Sequence, residues 1–404
     1  MVFEFLKRLE DPNNPLLGPT VWTLQRGGLW ETVPVKRFFY NLVHFAAFLF
    51  VISQYIELWI IRYNLEMAMR NLSLTMLSTI CVFKACNLVF WQNSWKEIIQ
   101  YVSETEKSQL LKKDETVSNI IYEYVKYARR VTFFYWCLVM ATVITVILAP
   151  LVIYWSSPIY RESVRNGTAP YPEIMSSWVP IDRTRGLGFW IATGNQIFAS
   201  IYGGTVVANF DHTAVVIMTF FTGQLKVLSV NCENLFGDDG LVSYDEAVKK
   251  LKECHFHHLC MVKFSSKLND LLSPVMFLYV IICSLMICAS AVQFTTEGTG
   301  NMQRIWMAEY ILAVIAQLFL YCWHSNDVLY MSKKVDGAVY GSAWWSQNVR
   351  IRRSLLLLGG QLRRPIIFMA GPFTMLNMAT FVAVNKITVY LYFYLYYQLN
   401  IIKI

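Results

Sequence analysis

The stretch GPFTMLNMATFVAVNKITVYLYFYLYYQLN, residues 371–400, decides how the whole chain is read. It is apolar and long enough to cross a bilayer, which takes about 20 residues of helix. Its second half is dense in tyrosine: Tyr390, Tyr392, Tyr394, Tyr396 and Tyr397. After Tyr392 come five apolar or aromatic residues, then Gln398 and Leu399. One amide among bulky side chains at the tip of a last spanning helix has the make-up of a narrow gate. Leu391, Leu395, Gln398 and Leu399 fall three and four apart and so share one stripe of that helix. The stripe either lines a pore or packs on neighbouring helices, and part of the tyrosine content suits an interfacial belt.

Working outward, six further apolar stretches of spanning length precede it, at residues 37–59, 72–91, 131–154, 189–220, 271–294 and 305–330, with the last span at 370–398. The chain is 55% hydrophobic and 15% charged, against about 25% charged for a soluble domain. The sequence therefore predicts an all-α membrane protein of seven transmembrane helices. The opening MVFEFLKRLEDPNN has no apolar run before Asp11, so no cleavable signal peptide is expected and the first span is the targeting signal.

Basic residues set the orientation. The N-terminal segment and the second, fourth and sixth connections carry 25 Lys and Arg; the opposite side carries 8. This places the N-terminus in the cytosol and, after seven spans, the C-terminus outside. The sequon Asn166-Gly167-Thr168 then lies on the outer side and marks Asn166 for glycosylation. Asn71-Leu72-Ser73 also fits the pattern, but at the mouth of the second span, where the bilayer hinders modification. The net charge of +8 is accounted for by cytosolic loops facing anionic lipid, so no nucleic-acid partner is expected.

Along the chain, residues 1–36 form a cytosolic segment. Residues 37–330 hold the first six spans, with helical extensions past the bilayer at about 92–130 and 222–270. Residues 331–404 combine a cytosolic anchor segment with the last helix. The extensions and the sixth connection together make a cytosolic helical bundle. Gly371-Pro372 splits the last element, so a short cytosolic piece is expected before a spanning helix that starts at about Phe373.

Several classes are disfavoured. The nine cysteines are an odd count and none lies in an outside loop, so no extracellular disulfide framework is expected. The third span lacks an Asp-Arg-Tyr end and the last lacks Asn-Pro-x-x-Tyr, as a metabotropic seven-helix receptor would show; its C-terminus would also lie inside. A transporter would show repeats or paired broken helices. The run Cys254-His255-Phe256-His257-His258-Leu259-Cys260 matches no common zinc spacing. No catalytic array or phosphate loop stands out, so neither enzyme activity nor a metal or other cofactor is expected.

Residues 317–344, QLFLYCWHSNDVLYMSKKVDGAVYGSAW, carry a resemblance. Gln317, Tyr321-Cys322, Asn326, Ser332, Ala338-Val339-Tyr340 and Trp344 resemble the signature of insect odorant receptors. The run Leu355 to Leu358, Arg364-Pro365, Ala370-Gly371, Phe381, and Asp211 with Gln224-Leu225, continue the match. The chain's end is similar to the superfamily's terminal motif of Thr-Tyr, five apolar residues, Gln, then Phe or Leu, with Leu391 standing where the motif has threonine.

The resemblance implies an odorant-gated, weakly selective cation channel of four subunits in the plasma membrane of olfactory sensory neurons. This chain lacks the coreceptor's long insertion between spans four and five. It therefore resembles a tuning subunit that joins a coreceptor in a heterotetramer and binds a small volatile odorant. A gustatory-type homotetrameric channel of the same superfamily is the alternative. By the same resemblance the pore narrows at Leu395, Gln398 and Leu399. The odorant pocket is expected in the outer halves of spans two, three, four and six, at Met76, Leu77, Ile80, Leu148, Leu151, Trp155, Phe198, Tyr202, Trp306 and Tyr310. These side-chain types also serve as lipid-facing or packing residues. Glu57, Lys84, Asp211, Glu309 and Lys386 fall inside spans, where charge is costly and is either functional or a structural pair.

Overall fold

The structure, a computed structural model, describes residues 14–31, 33–63, 65–166, 171–180, 186–237, 242–295 and 301–402. After a short helix, α1 (Gly18–Arg26), the long apolar stretches form α2 (Pro34–Ile61), α3 (Leu65–Phe90), α5 (Glu115–Ser156), α7 (Gly186–Glu233), α8 (Tyr244–Thr295), α9 (Asn301–Ser332) and α12 (Met378–Ile402). Shorter helices fill the connections: α4 (Gln92–Leu111), α6 (Pro158–Arg165), α10 (Val335–Gly341) and α11 (Val349–Leu362). Local chemistry sets several starts. Pro34 and Pro158 sit in first turns, where a missing N–H costs nothing. Asp114 caps α5 by accepting from the N–H groups of Thr116 and Val117.

Six helices among the described residues are long and apolar enough to cross a membrane; α12 carries the seventh apolar stretch. Within their apolar windows α7 is 78% buried and α8 61%, whereas α2 is 17% and α5 11%. So α7 and α8 form the centre, and α2 and α5 the rim. The rim exposes Phe38, Phe39, Leu42 and Phe45 on α2, and Phe134 and Ile144 on α5. A contiguous apolar surface of that kind needs lipid or protein against it.

At one end, here the anchor end, α4 and the first turns of α5 pack on α7 and α8. Tyr101 stacks on Phe264 with centroids 3.9 Å apart and meets Phe220 edge-on at 5.9 Å. Gly223 lets the Tyr124 ring close on α7, since a Cβ there would overlap the ring. Trp95 Nε1 donates to Asn87 Oδ1 at 3.1 Å, and Asn87 Nδ2 donates to the Leu271 carbonyl at 2.9 Å, which fixes the α3–α4 corner on α8. Glu106 is fully buried here and accepts from Tyr124 OH at 2.6 Å and the Leu16 N–H at 3.1 Å. Burial lifts its carboxyl pKa to about 7, although both hydrogen bonds and nearby Arg129 favour the charged form.

The expected helix start near Phe373 is corrected by the structure. Between α11 and α12 the chain makes a hairpin, β1 (Met369–Ala370) antiparallel to β2 (Thr374–Met375), with Met369 opposite Met375. Gly371 takes φ +65, open to glycine without a Cβ penalty. The hairpin is held on α8: the Gly371 N–H donates to the Ser273 carbonyl at 3.0 Å, and the Met369 N–H to Asn269 Oδ1 at 2.7 Å. The helix then begins at Met378, with Asn377 Oδ1 accepting from the Thr380 N–H at 2.9 Å.

Candidate functional site

Between α2, α3, α5, α7 and α9 the helices part around a cavity of about 110 Å³. Apolar side chains dominate its wall, among them Phe50, Leu77, Val139, Val143, Val207 and Val314, and among the described residues no charged side chain lines it. Gly203 and Gly204 create the space. A Cβ at Gly204 would overlap Val143 on α5, and one at Gly203 would lie 3.3 Å from Cys81 Sγ on α3. The pair lets α7 approach both neighbours while placing no side chain in the gap.

The floor is a buried polar cluster. Asp211 on α7 accepts hydrogen bonds from Lys84 Nζ, Gln317 Nε2 and Tyr321 OH, each at 2.5 Å, and also from Tyr135 OH. The Lys84 ammonium also lies 5.2 Å from the Tyr279 ring centroid and 5.6 Å from that of Phe210. Four donors on one carboxylate offset the cost of burying it, which a bare pair does not. Tyr135 and Gln317 face both ways: they line the cavity and hold Asp211. Anything that fills the cavity therefore touches the groups that hold the ion pair.

Residues 171–180 reach the other end of the cavity, where Met175 joins the lining. Gln196 Oε1 accepts from the backbone N–H groups of Ile174 at 3.1 Å and Met175 at 3.3 Å. The Trp178 N–H donates to the Ser53 carbonyl at 3.1 Å, fixing the segment to α2 as well. On the side walls, Thr142 Oγ1 donates to Glu309 Oε1 at 2.8 Å, and His44 Nδ1 meets Tyr202 OH at 2.5 Å.

Of the pocket residues read from the sequence, Leu77, Tyr202 and Tyr310 line this cavity. Ile80 is buried in the core, Met76 packs against it, and Trp306 is half-buried; none of the three lines the cavity. Leu148, Leu151, Trp155 and Phe198 are 44–66% exposed on the rim of the bundle. The cavity thus sits deeper than expected: Trp155 lies about two and a half helical turns beyond Val146, the last α5 residue in the wall. Tyr135, Thr142, Ser78, Ser200 and the glycine pair were not singled out. Their signal is small or hydroxyl side chains recurring inside otherwise apolar helices.

Other expectations fall as follows. Lys84 and Asp211 form the structural pair already described. Glu57 is buried on α2 and Lys386 is exposed on α12. Asn166 is exposed at the end of α6, while Gly167 and Thr168 lie outside the described residues; Asn71 is buried. Leu391 is half-buried, and the side chains of Leu395, Gln398 and Leu399 lie outside the described residues. His257 Nε2 meets Gln224 Oε1 at 3.0 Å, and no metal-binding group of three gathers among the described residues.

Comparison with known proteins adds five findings. A family model described as 7tm odorant receptor matches residues 64–389. Odorant receptor Or2 of Anopheles gambiae is 29% identical over 123 residues, 30% of this chain and 32% of that protein. Odorant receptor 43b of Drosophila melanogaster is 29% identical over 141 residues, 34% of each chain. The matched stretches thus span about a third of the length of these curated relatives. The insect olfactory receptor OR5 from Machilis hrabei, solved in complex with eugenol, superposes with a TM-score of 0.81 at 16% identity, over 96% of this chain and 100% of that one. A second structure of the same receptor gives 0.79 over 98% of each chain, so the folds agree along nearly the whole length.

Proposed function

The chain belongs to the odorant receptor family of seven-helix membrane proteins, and we propose that it is the ligand-binding subunit of a cation channel opened by small volatile molecules. One observation carries the reading: a cavity walled by five helices, with no charged lining among the described residues, whose floor side chains hold a buried ion pair. At about 110 Å³ the cavity is smaller than the roughly 150 Å³ apolar cavity that holds benzene, so its ligand is at most a single small ring or a short chain and enters as the walls give slightly. A mostly apolar wall with few polar groups is the general form of a site for such ligands. OR5 of Machilis hrabei, which shares the fold, was solved with eugenol, a molecule of that class.

In this reading the ligand acts by population shift. It binds better when α5, α7 and α9 are slightly rearranged, and that arrangement also favours an open ring where α12 narrows. Leu391, Leu395, Gln398 and Leu399 line the pore; the N-terminus is cytosolic and the C-terminus outside. The partner is a coreceptor subunit in a heterotetramer, in the plasma membrane of olfactory sensory neurons.

The test is current recording in cells expressing this chain with and without the coreceptor, against a panel of volatile ligands, for the native protein and Val143→Trp. The expected result is a ligand-dependent current that needs both subunits and is lost in the filled-cavity variant at normal surface delivery. An unchanged response in Val143→Trp overturns the cavity assignment.

A further inference from the structure

From the hydrogen bonds in the cavity wall, and resting on the reading of that cavity as the ligand site, we infer that the site selects ligands that donate a hydrogen bond, alcohols and phenols, over ligands of the same shape that only accept one. A hydroxyl has one proton and two lone pairs, so a committed proton leaves only acceptor capacity. Five wall hydroxyls give their protons to the protein. Ser78 donates to the Leu74 carbonyl at 3.0 Å, Ser200 to the Gln196 carbonyl at 2.8 Å, and Tyr310 to the Ser73 carbonyl at a long 3.4 Å. Tyr135 donates to Asp211. Thr142 points its proton at the Leu138 carbonyl, 3.0 Å away, and Glu309, 2.8 Å away.

What these five turn to a ligand is oxygen lone pairs. Two are strengthened by a carboxyl group behind them, because a hydroxyl that donates a hydrogen bond becomes a better acceptor in turn. Those are Tyr135, on Asp211, and Thr142, on Glu309. Glu309 Oε2 has no hydrogen-bond partner among the described residues. On the donor side, Gln317 spends an N–H on Asp211 and keeps one amide hydrogen at the floor. The direction of the His44–Tyr202 bond depends on the imidazole tautomer. The balance of the wall is acceptor-rich, and with no charged residue lining it among the described residues the preferred ligand is neutral. A ketone, ester or ether brings a further acceptor to this wall and finds little to meet it, whereas an alcohol or phenol supplies the missing proton.

The test uses pairs of matched size and skeleton that differ in hydrogen-bond sense: 1-phenylethanol with acetophenone, 2-heptanol with 2-heptanone, and 4-ethylphenol with 4-methylanisole. Half-maximal concentrations for current are measured for each pair on the full channel, and again in Thr142→Val and Ser200→Ala. The expected result is that the donor of each pair is effective at about three- to tenfold lower concentration, the worth of one neutral hydrogen bond. At least one variant should narrow that gap by weakening the donor and not its partner. Acceptors equal to or better than donors, in a channel that Val143→Trp still silences, overturn this inference and leave the cavity as the ligand site. Silence to every member of every pair overturns both.

Discussion

Lys84 and Asp211 stand 127 residues apart in the chain and meet at 2.5 Å, with side chains 0% and 2% exposed. The two are not equivalent. Asp211 has three donors besides the lysine, whereas Lys84 has the one carboxylate and three ring faces around it. Removing one member of a buried pair costs about 3–5 kcal/mol, mainly through the charge left behind. Asp211→Leu strands the ammonium and three hydrogen-bond donors, while Lys84→Met leaves a carboxylate still held by three. The expected order of thermal stability in detergent is native, then Lys84→Met, then Asp211→Leu, with the double variant above Asp211→Leu. The reverse order of the two single variants would show that the lysine, not the aspartate, organises the cluster.

Glu106 predicts a pH dependence at the anchor end. Its carboxyl has an ordinary value of 4.5 and a folded value of about 7. Between those limits the folded state holds a proton that the unfolded chain has lost. Its contribution is therefore fully present below about pH 4.5, declines as pH rises through about 7, and is flat beyond. The native protein should melt at a lower temperature at pH 8 than at pH 6, and Glu106→Gln should shrink that difference while retaining an acceptor for the Leu16 N–H. A native difference that the substitution leaves untouched assigns the pH dependence to another group.

Gly204 predicts a packing penalty coupled to ligand response. A Cβ there would overlap Val143, so Gly204→Val must drive α5 and α7 apart or push Val143 into the cavity. Overpacking of this kind costs about 1–3 kcal/mol. Reduced thermal stability together with a weakened ligand response is the expected result. Pairing it with Val143→Ala, which removes the colliding methyl groups, should restore part of both. No recovery in the pair would mean that the helices, rather than that one side chain, set the space.

The last helix supplies a prediction about conduction and topology. Gln398→Ala and Leu395→Ala are expected to change ion preference or basal current when co-expressed with the coreceptor. Unchanged conduction in both rules out the proposed constriction. An epitope tag after Ile404 should stain on intact cells, and staining only after permeabilisation would reverse the proposed orientation.

Hydropathy made the seven helices legible, because a spanning segment must be apolar over a fixed length whatever it packs against. Residues 189–220, too long for one span, pointed to the helix that runs on to Glu233. Lys84 and Asp211 stood out as charges in apolar runs, but nothing local to either names its partner. Leu77, Tyr202 and Tyr310, read as pocket candidates because they are apolar or aromatic residues of the right spans, line the cavity, although it lies deeper than expected. Thr142, Ser78 and Ser200 were not, because a lone hydroxyl in a helix is ordinarily satisfied by the carbonyl four residues back. Their meaning here comes from facing one space together, a relation between helices that no single helix carries. The hairpin was missed for a different reason. Gly371-Pro372 announces a break, and only contacts with Asn269 and Ser273 on α8 decide what shape the break takes.

The length of α7 has a mechanical consequence. One unbroken helix of 48 residues, with no proline inside it, holds Ile174 and Met175 through Gln196 near its start, borders the cavity at Gly203 and Gly204, bears Asp211 at the floor and ends among the anchor helices. At 1.5 Å per residue it is ~72 Å long, so pivoting it by ~3° about one end swings the other by ~4 Å. A shift too small to reshape the binding space becomes, at the far end of such a lever, comparable to the width of a side chain.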